Sequence, residues 1–306
     1  MRKWIKYSIL ILLLASGVVL CAVRWQAWFG MPSEPKWTGD TIQYSFPSPA
    51  CDSDLTILVL GDIHTRLTRA DYDTLAARVP QIDFVAQTGD WLERGQVYYA
   101  QLLLREWTAS QLMGLPVLAC PGQHEYTKGP IKTLSPIWEE LFAHPNNGPV
   151  VPGASYYMDF PQMRFIVIDT NPMTRLVNLV RTLTWLREVM ASAGDRYIVV
   201  MMHHPVLAPA KGQFNPLLYA TFRHALGEAD LVLSGHDHSY MRHTPFVVLN
   251  TAGKPKPQHL GFSAEVTDSI PVYGVINLQP ENANLQFTVH RLSDGSVIDS
   301  LYVKHD

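Results

Sequence analysis

Cysteine is scarce: three residues, Cys21, Cys51 and Cys120, in a chain of 306. So few exclude a fold held together by a disulfide framework. Cys21 sits in an N-terminal apolar run, Cys51 precedes the first expected strand, and Cys120 closes a later parallel one. A Cys51–Cys120 bridge would join opposite ends of a sheet, about 15 Å or more for an ordinary strand, beyond disulfide reach. Both are expected as free thiols, and cysteine usage leaves the compartment open. Charge is also sparse, at 17% of residues with a net charge of −3. The basic face that binds nucleic acid is therefore missing, and no nucleic-acid partner is expected. The chain has no Gly-x-Ser-x-Gly elbow, which removes a serine-hydrolase reading. It has no internal repeat and no low-complexity tract.

What it has is histidine, twelve of them, within a composition that is 47% hydrophobic. That length and apolar content suit one large domain with a substantial core. The first six residues carry Arg2, Lys3 and Lys6, and residues 7–23 form an uncharged, mainly apolar run followed by Trp25, Trp28 and Phe29. The run is at the short end of what spans a bilayer. Its positive flank and aromatic belt favour an uncleaved anchor over residues 1–24, with a cleaved signal peptide as the competing reading. Both put the rest of the chain outside the cytoplasm, on the periplasmic or extracellular side, either membrane-anchored or secreted. Residues 25–54, with Pro32, Pro35, Pro47 and Pro49, read as a stalk.

From residue 55 apolar runs alternate with helical patterns, and the domain is expected to run to residue 306. Strands are expected over 55–60, 84–87, 116–120, 197–202 and 231–233, with helices over 71–79, 96–113, 134–142, much of 174–193, and 216–226. Residues 155–160 and 164–169 read as a hairpin, and the remainder is mostly strand. Residues 173–180, containing Leu176, Val177, Leu179 and Val180, read as a buried helix face. A face turned to a membrane or a lipid-linked phosphate is the other possibility. The pattern predicts an α/β fold, a four-layer αββα sandwich of two mixed sheets, with the strands after Gly253 completing the second sheet.

Five of these strands end in polar groups: Asp62/His64, Asp90, Gln123/His124, His203 and His236/His238. Each has a plain explanation alone, since Gly-Asp is a common turn and a lone histidine is usually structural. Together, at the carboxyl ends of strands, they mark a ligand site, and carboxylates mixed with imidazoles suit divalent transition metals. A metallo-β-lactamase-type centre would need a single His-x-His-x-Asp-His run, which is absent. The motifs in order are Gly61-Asp-Ile-His64, Gly89-Asp-Trp-Leu-Glu93, Gly122-Gln-His-Glu125, Val200-Met-Met-His203 and Gly235-His-Asp-His238. In this the chain resembles the calcineurin-like metallophosphoesterases over about residues 55–242. The run through Arg242 is also similar to the purple acid phosphatase branch. That branch, however, has a Tyr ligand where this chain has Glu93, and it lacks the equivalent of His64.

The resemblance implies two divalent or mixed-valence transition metals (manganese, iron or zinc). Asp62, His64 and His238 would hold one, Gln123, His203 and His236 the other, with Asp90 bridging both. It implies a phosphate-ester substrate, attack by a metal-bridging hydroxide, and His124 as the general acid. Glu93 or Asp237 would orient an imidazole. Arg94 follows Glu93 as in the protein phosphatases, where the arginine holds phosphate, and Arg242 is a second candidate for that role. Either arginine is otherwise an ordinary surface charge. His204 reads as supporting rather than ligating, because neighbours at a strand end point to opposite sides. Gln123 departs from the family's asparagine by one methylene. One reading is that the loop shifts to keep the second metal. The alternative is a weakened, membrane-anchored metal-binding or interaction protein that keeps the fold.

Overall fold

A computed structural model describes residues 54–93, 115–127, 132–135, 138, 142, 144–208, 213–214, 216–256, 266–279 and 284–304. The expected anchor, nearly all of the stalk, Cys21, Cys51, Arg94, the helix over 96–113 and most of the helix over 134–142 lie outside the described residues. Among the described residues, no helix is long and apolar enough to cross a membrane. Cys120 is free and buried.

Strands β1 (Leu55–Leu60), β2 (Phe84–Gln87) and β3 (Val117–Ala119) run parallel side by side. Antiparallel strands β13 (Val272–Gln279), β14 (Asn284–Arg291) and β15 (Val297–Lys304) continue the sheet on the other flank of β1. The second sheet has a parallel centre of β5 (Met163–Ile168), β6 (Tyr197–Met202), β9 (Leu231–Ser234) and β11 (Phe246–Val248). Antiparallel strands β4 (Tyr156–Asp159), β10 (Tyr240–His243) and β12 (Val266–Asp268) extend it. Between β6 and β9 lies a two-stranded ribbon of β7 (Leu207–Ala208) and β8 (Gln213–Phe214).

Alternation along the strands builds the layers. Ile57, Val59, Phe84, Ala86 and Leu118 of the first sheet meet Phe165, Val167, Val199, Met201 and Leu233 of the second in the central core. The alternate residues Leu58, Leu60 and Val85 face helix α1 (Arg69–Arg78) through Tyr72 and Leu75. On the far side, Ile166, Val200 and Val232 face α2 (Leu176–Ala191) and α3 (Pro216–Leu226) through Leu186, Val189, Phe222 and Leu226. Helix α1 starts two residues ahead of the expected 71–79, because Thr68 and Asp71 form a reciprocal capping box.

Two expectations are corrected. The strands after Gly253 do not complete the second sheet: only β12 joins it, while β13 to β15 extend the first. The edge of β1 away from β2 carries unpaired backbone groups within an apolar strand, and β13 satisfies them. The five polar strand ends therefore belong to two sheets, three on the first and two on the second. The apolar run 173–180 is only partly a buried face. Leu179 joins the stripe of Thr182, Leu186, Val189 and Met190, whereas Leu176, Val177 and Val180 fall outside it and are exposed.

Arg242 is not at a phosphate position either. Its Nε and Nη2 donate to Asp299 Oδ2 (2.6 Å) and Oδ1 (3.1 Å), and Tyr240 Oη donates to Asp299 Oδ2 at 2.5 Å. The three residues clamp β10 of one sheet to β15 of the other. Burial pushes the Asp299 carboxyl up, but the bonds from Arg242 and Tyr240 outweigh it and hold the group below its ordinary range. A carboxylate lowered in this way adds stability above the ordinary Asp value of about 3.9 and loses it as pH falls below that. Asp299→Asn is expected to lower the unfolding free energy by about 2–4 kcal/mol at neutral pH. The loss should shrink as pH falls through the lowered folded-state value, as read by urea denaturation at neutral pH and across a series of acid pH values.

Candidate metal centre

The loops leaving β1 and β2 run on as a parallel ladder, with Asp62 N bonded to Gly89 O, His64 N to Asp90 O and Thr65 N to Trp91 O. Here the backbone does something unusual for side-chain-bearing residues. Asp62 (φ 50°), His64 (50°), Asp90 (55°), His236 (71°) and His238 (50°) all adopt the left-handed conformation. Each costs about 1–2 kcal/mol in an L-residue, and such outliers gather at functional sites.

Four of the side chains, Asp62, His64, Asp90 and His238, bring ligand atoms within 4.8 Å of one another. His64 Nδ1 is 3.2 Å from Leu92 O, and His238 Nδ1 is 3.0 Å from Lys254 O. A ring that donates from Nδ1 to a carbonyl carries a lone pair on Nε2. Yet the two Nε2 atoms stand 3.0 Å apart. Asp62 Oδ1 lies 3.6 Å from His238 Nε2, and Asp90 Oδ2 lies 3.9 Å from His64 Nε2. Acceptors facing acceptors in a buried space need a cation between them. Metal–nitrogen bonds of about 2.0–2.1 Å put neighbouring donors roughly 3.0–3.4 Å apart, so the donor set fits a metal.

The same logic repeats across Asp90. His203 Nδ1 is held by Thr88 O at 2.9 Å, which turns Nε2 toward Asp90 Oδ2 at 3.3 Å. Both atoms are buried, and neither makes a hydrogen bond of proper geometry. Burial alone would lower the His203 pKa, but the Asp90 charge overrides it and lifts the imidazole to about 9. Asp90 is correspondingly held below the ordinary carboxylate range, against the effect of its own burial. A metal at this point would replace the shared proton. Burial drives the Asp62 carboxyl well above its usual value, the condition an adjacent cation reverses. His203, His204 and His236 form a second group whose ligand atoms lie within 4.8 Å.

Gly122 sets how closely these loops approach. A Cβ there would stand 2.3 Å from both the amide nitrogen and Oδ1 of Asp90. Glu125, fully buried, ties the same two loops together by accepting from Asp90 N (2.9 Å), Leu92 N (3.0 Å) and Gly122 N (2.7 Å).

The other expected residues divide. His124 is half-buried at the rim, its main-chain N donating to Asp90 Oδ1 (2.9 Å) and its Nε2 lying 3.8 Å from Asp90 Oδ2. Its Nδ1 is held by the main-chain carbonyl of Glu93, whereas the Glu93 carboxylate is paired with Arg66 at 2.8 Å. The Glu93 carboxylate, expected to orient a ring, lies 3.9 Å from His64 Nδ1, while the Glu93 backbone carbonyl holds the ring of His124. Asp237 is buried between His236 and His238. Gln123 is exposed. His204, expected to support rather than ligate, has a ligand atom within 4.8 Å of those of His203 and His236. His203 and His204 lie in a bend beyond the end of β6, where strand alternation no longer applies.

Several residues of the site went unassigned in the sequence. Glu125 stood inside a motif without a role. Asn171 donates from Nδ2 to Pro121 O (3.1 Å) and Gly122 O (3.2 Å). Lys256 Nζ bonds His236 O at 3.3 Å. Arg66, two residues after His64, had a local signal in its position, whereas Asn171 and Lys256 had none.

The calcineurin-like phosphoesterase family profile matches residues 55–240, and the chain belongs to that family. It is 25% identical over 168 residues to the glycerophosphodiester phosphodiesterase GpdQ of Enterobacter lignolyticus (strain SCF1), covering 51% of this chain and 56% of that protein. Its fold is similar to that of purple acid phosphatase PPD1 from yellow lupin seeds (Lupinus luteus). There the TM-score is 0.69 at 15% identity, over 83% of this chain and 54% of that one. It is also similar to GAP50, the anchor in the inner membrane complex of Plasmodium, with a TM-score of 0.61 at 15% identity over 83% and 89% of the two chains. The chain thus spans little more than half the length of GpdQ and of PPD1.

Glu125→Gln keeps the shape but replaces an acceptor oxygen with a donor amide against backbone N–H groups. It is expected to lower stability by about 1–3 kcal/mol and metal affinity by about ten- to a hundredfold. Titration of the metal-free protein with Mn²⁺ in a calorimeter would measure the second effect.

Proposed function

We propose that this member of the calcineurin-like phosphoesterase family is a metal-dependent hydrolase of a phosphomonoester or phosphodiester, with His124 protonating the leaving oxygen. One observation carries the reading: the Nε2 atoms of His64 and His238 face each other at 3.0 Å, and those of His64 and His203 face Asp90 Oδ2, among buried and half-buried side chains. Asp62, His64, His238 and Asp90 would hold one divalent ion, and Asp90 with His203 and His236 would begin the site for the other. Mixed carboxylate and imidazole donors suit manganese, iron or zinc. When bound, such a pair neutralises phosphoryl oxygens and lowers the pKa of water at the site.

The chain's own part is to place and hold. Asp90 shares its oxygens between the site and His124, with Oδ1 taking the His124 amide and Oδ2 facing the imidazoles. His124 is thereby fixed relative to the Asp90 carboxylate. Its ring is locked through Nδ1 on Glu93 O, and Nε2 is the atom that hands a proton to the leaving group. Arg94 retains its proposed place on the phosphate, and residues 1–24 their proposed place in a membrane. The catalytic domain would then lie outside the cytoplasm.

The second reading is an interaction protein that has kept the fold, motivated by Gln123 and by a fold shared with GAP50, itself described as an anchor. Assays of the purified protein with Mn²⁺, Fe²⁺ or Zn²⁺ on aryl phosphate mono- and diesters separate the two. Metal binding without turnover under any of these conditions would favour the interaction protein. Within the hydrolase reading, His124→Gln is expected to lower kcat by about 10²–10⁴ on substrates with alkoxide leaving groups. On p-nitrophenyl esters, whose leaving group departs unprotonated, the loss should be far smaller. Equal losses on both would remove His124 as the acid.

A further inference from the structure

We propose that His204 takes the place of the family's amide ligand, so that His203, His204, His236 and Asp90 hold the second metal and Gln123 faces the substrate. This rests on the reading of the site as a two-metal centre. The three rings pack at centroid separations of 4.9 Å (His203–His204), 4.7 Å (His204–His236) and 5.2 Å (His203–His236). Their ligand atoms lie within 4.8 Å of one another, and the trio shares no residue with the group around His64, which it meets where His203 Nε2 faces Asp90 Oδ2 at 3.3 Å.

The outer nitrogens match as well. Thr88 O holds His203 Nδ1 at 2.9 Å, and Thr170 Oγ1 holds His204 Nδ1 at 2.6 Å. A partner on Nδ1 is how proteins orient a ligating imidazole and leave Nε2 to the metal. Thr170 Oγ1 also lies 3.4 Å from the His204 amide nitrogen, so one hydroxyl places both backbone and ring. Three imidazoles and a carboxylate form a donor set well suited to zinc or iron.

Gln123 lacks the corresponding support. For the longer amide to reach the position of the family's asparagine oxygen, its backbone would have to retreat by about one carbon–carbon bond, roughly 1.5 Å. The loop is pinned against that movement on both sides of the residue. Gly122 N bonds Glu125 (2.7 Å), His124 N bonds Asp90 (2.9 Å), and Asn171 grips the carbonyls of Pro121 and Gly122. Gln123 itself is exposed, next to the half-buried His124 at the mouth of the site. An exposed amide in that position meets the incoming ester.

The test uses the full chain, stripped of metal, reloaded with Co²⁺, and read by metal per chain and visible absorption without turnover. Wild type is expected to bind two ions. His204→Ala should bind one, lose about half of the cobalt absorption, and regain the second ion in added imidazole. Gln123→Ala should still bind two and change KM for the ester. Because His204→Ala could unfold locally, Thr170→Val supplies a second measurement. It should weaken the second ion by about ten- to a hundredfold while the melting temperature of the metal-free protein stays at the wild-type value. Gln123→Ala dropping to one ion while His204→Ala keeps two would overturn the proposal, as would a wild type that binds fewer than two. A wild type that binds two ions with this His204 dependence, yet turns over no ester, supports the ligand assignment and sinks the hydrolase reading instead.

Discussion

A lone pair facing a lone pair across 3.0 Å at His64 and His238, beside a buried His203–Asp90 pair at 3.3 Å, is the constraint on which the rest of the molecule depends. Nothing in a folding chain favours that arrangement by itself. It removes carboxylates from water, places acceptors against acceptors, and forces five side-chain-bearing residues into left-handed backbone. At about 1–2 kcal/mol each, the backbone cost alone is roughly 5–10 kcal/mol, comparable to the whole stability of an ordinary domain. The site can persist only because its surroundings over-determine it. Glu125 takes three amides from two loops, and the close approach at Gly122 admits no side chain.

The two-sheet core supplies that rigidity. Parallel strands deliver their carboxyl ends to one side, and face-to-face packing brings the ends of β1, β2 and β3 opposite those of β6 and β9. The central cluster is almost entirely aliphatic and aromatic and nearly solvent-free, so neither sheet can slide without opening voids. The Tyr240–Arg242–Asp299 clamp adds a directional link between the sheets that hydrophobic packing cannot supply. Gly235 and Asp62 show how tight the match is, since a Cβ on that glycine would meet Asp62 Oδ2 at 2.6 Å.

Much of this was legible in the chain because each strand announces itself twice, by an apolar run and by the polar group that ends it. Residues 84–87 and 216–226 match the observed β2 and α3 end to end. What stayed hidden is non-local. Whether β13 pairs with β1 or with the second sheet depends on which edge is left open, and no local pattern encodes that. Arg242 looked like a phosphate ligand because its partner, Asp299, lies 57 residues further on. Left-handed backbone at Asp62 or His236 leaves no mark in composition, since both residue types are also ordinary in turns. The alternation rule does not reach His204, because β6 ends at Met202, before the histidine pair begins.

Asp90 Oδ2 is common to both halves of the centre, 3.9 Å from His64 Nε2 and 3.3 Å from His203 Nε2. The two halves are therefore not independent, and any movement of the second-motif loop disturbs both at once. An adaptation that moved the third-motif loop back to suit a longer amide would drag on Glu125 and Asp90, and so on the first half as well. A ligand recruited from the bend after β6 would instead leave those loops untouched, because the His204 ring is held by Thr170 from the neighbouring strand end. Seen this way, the glutamine at position 123 is tolerable for a mechanical reason. The chain keeps its shared carboxylate still and obtains the missing donor from the other sheet.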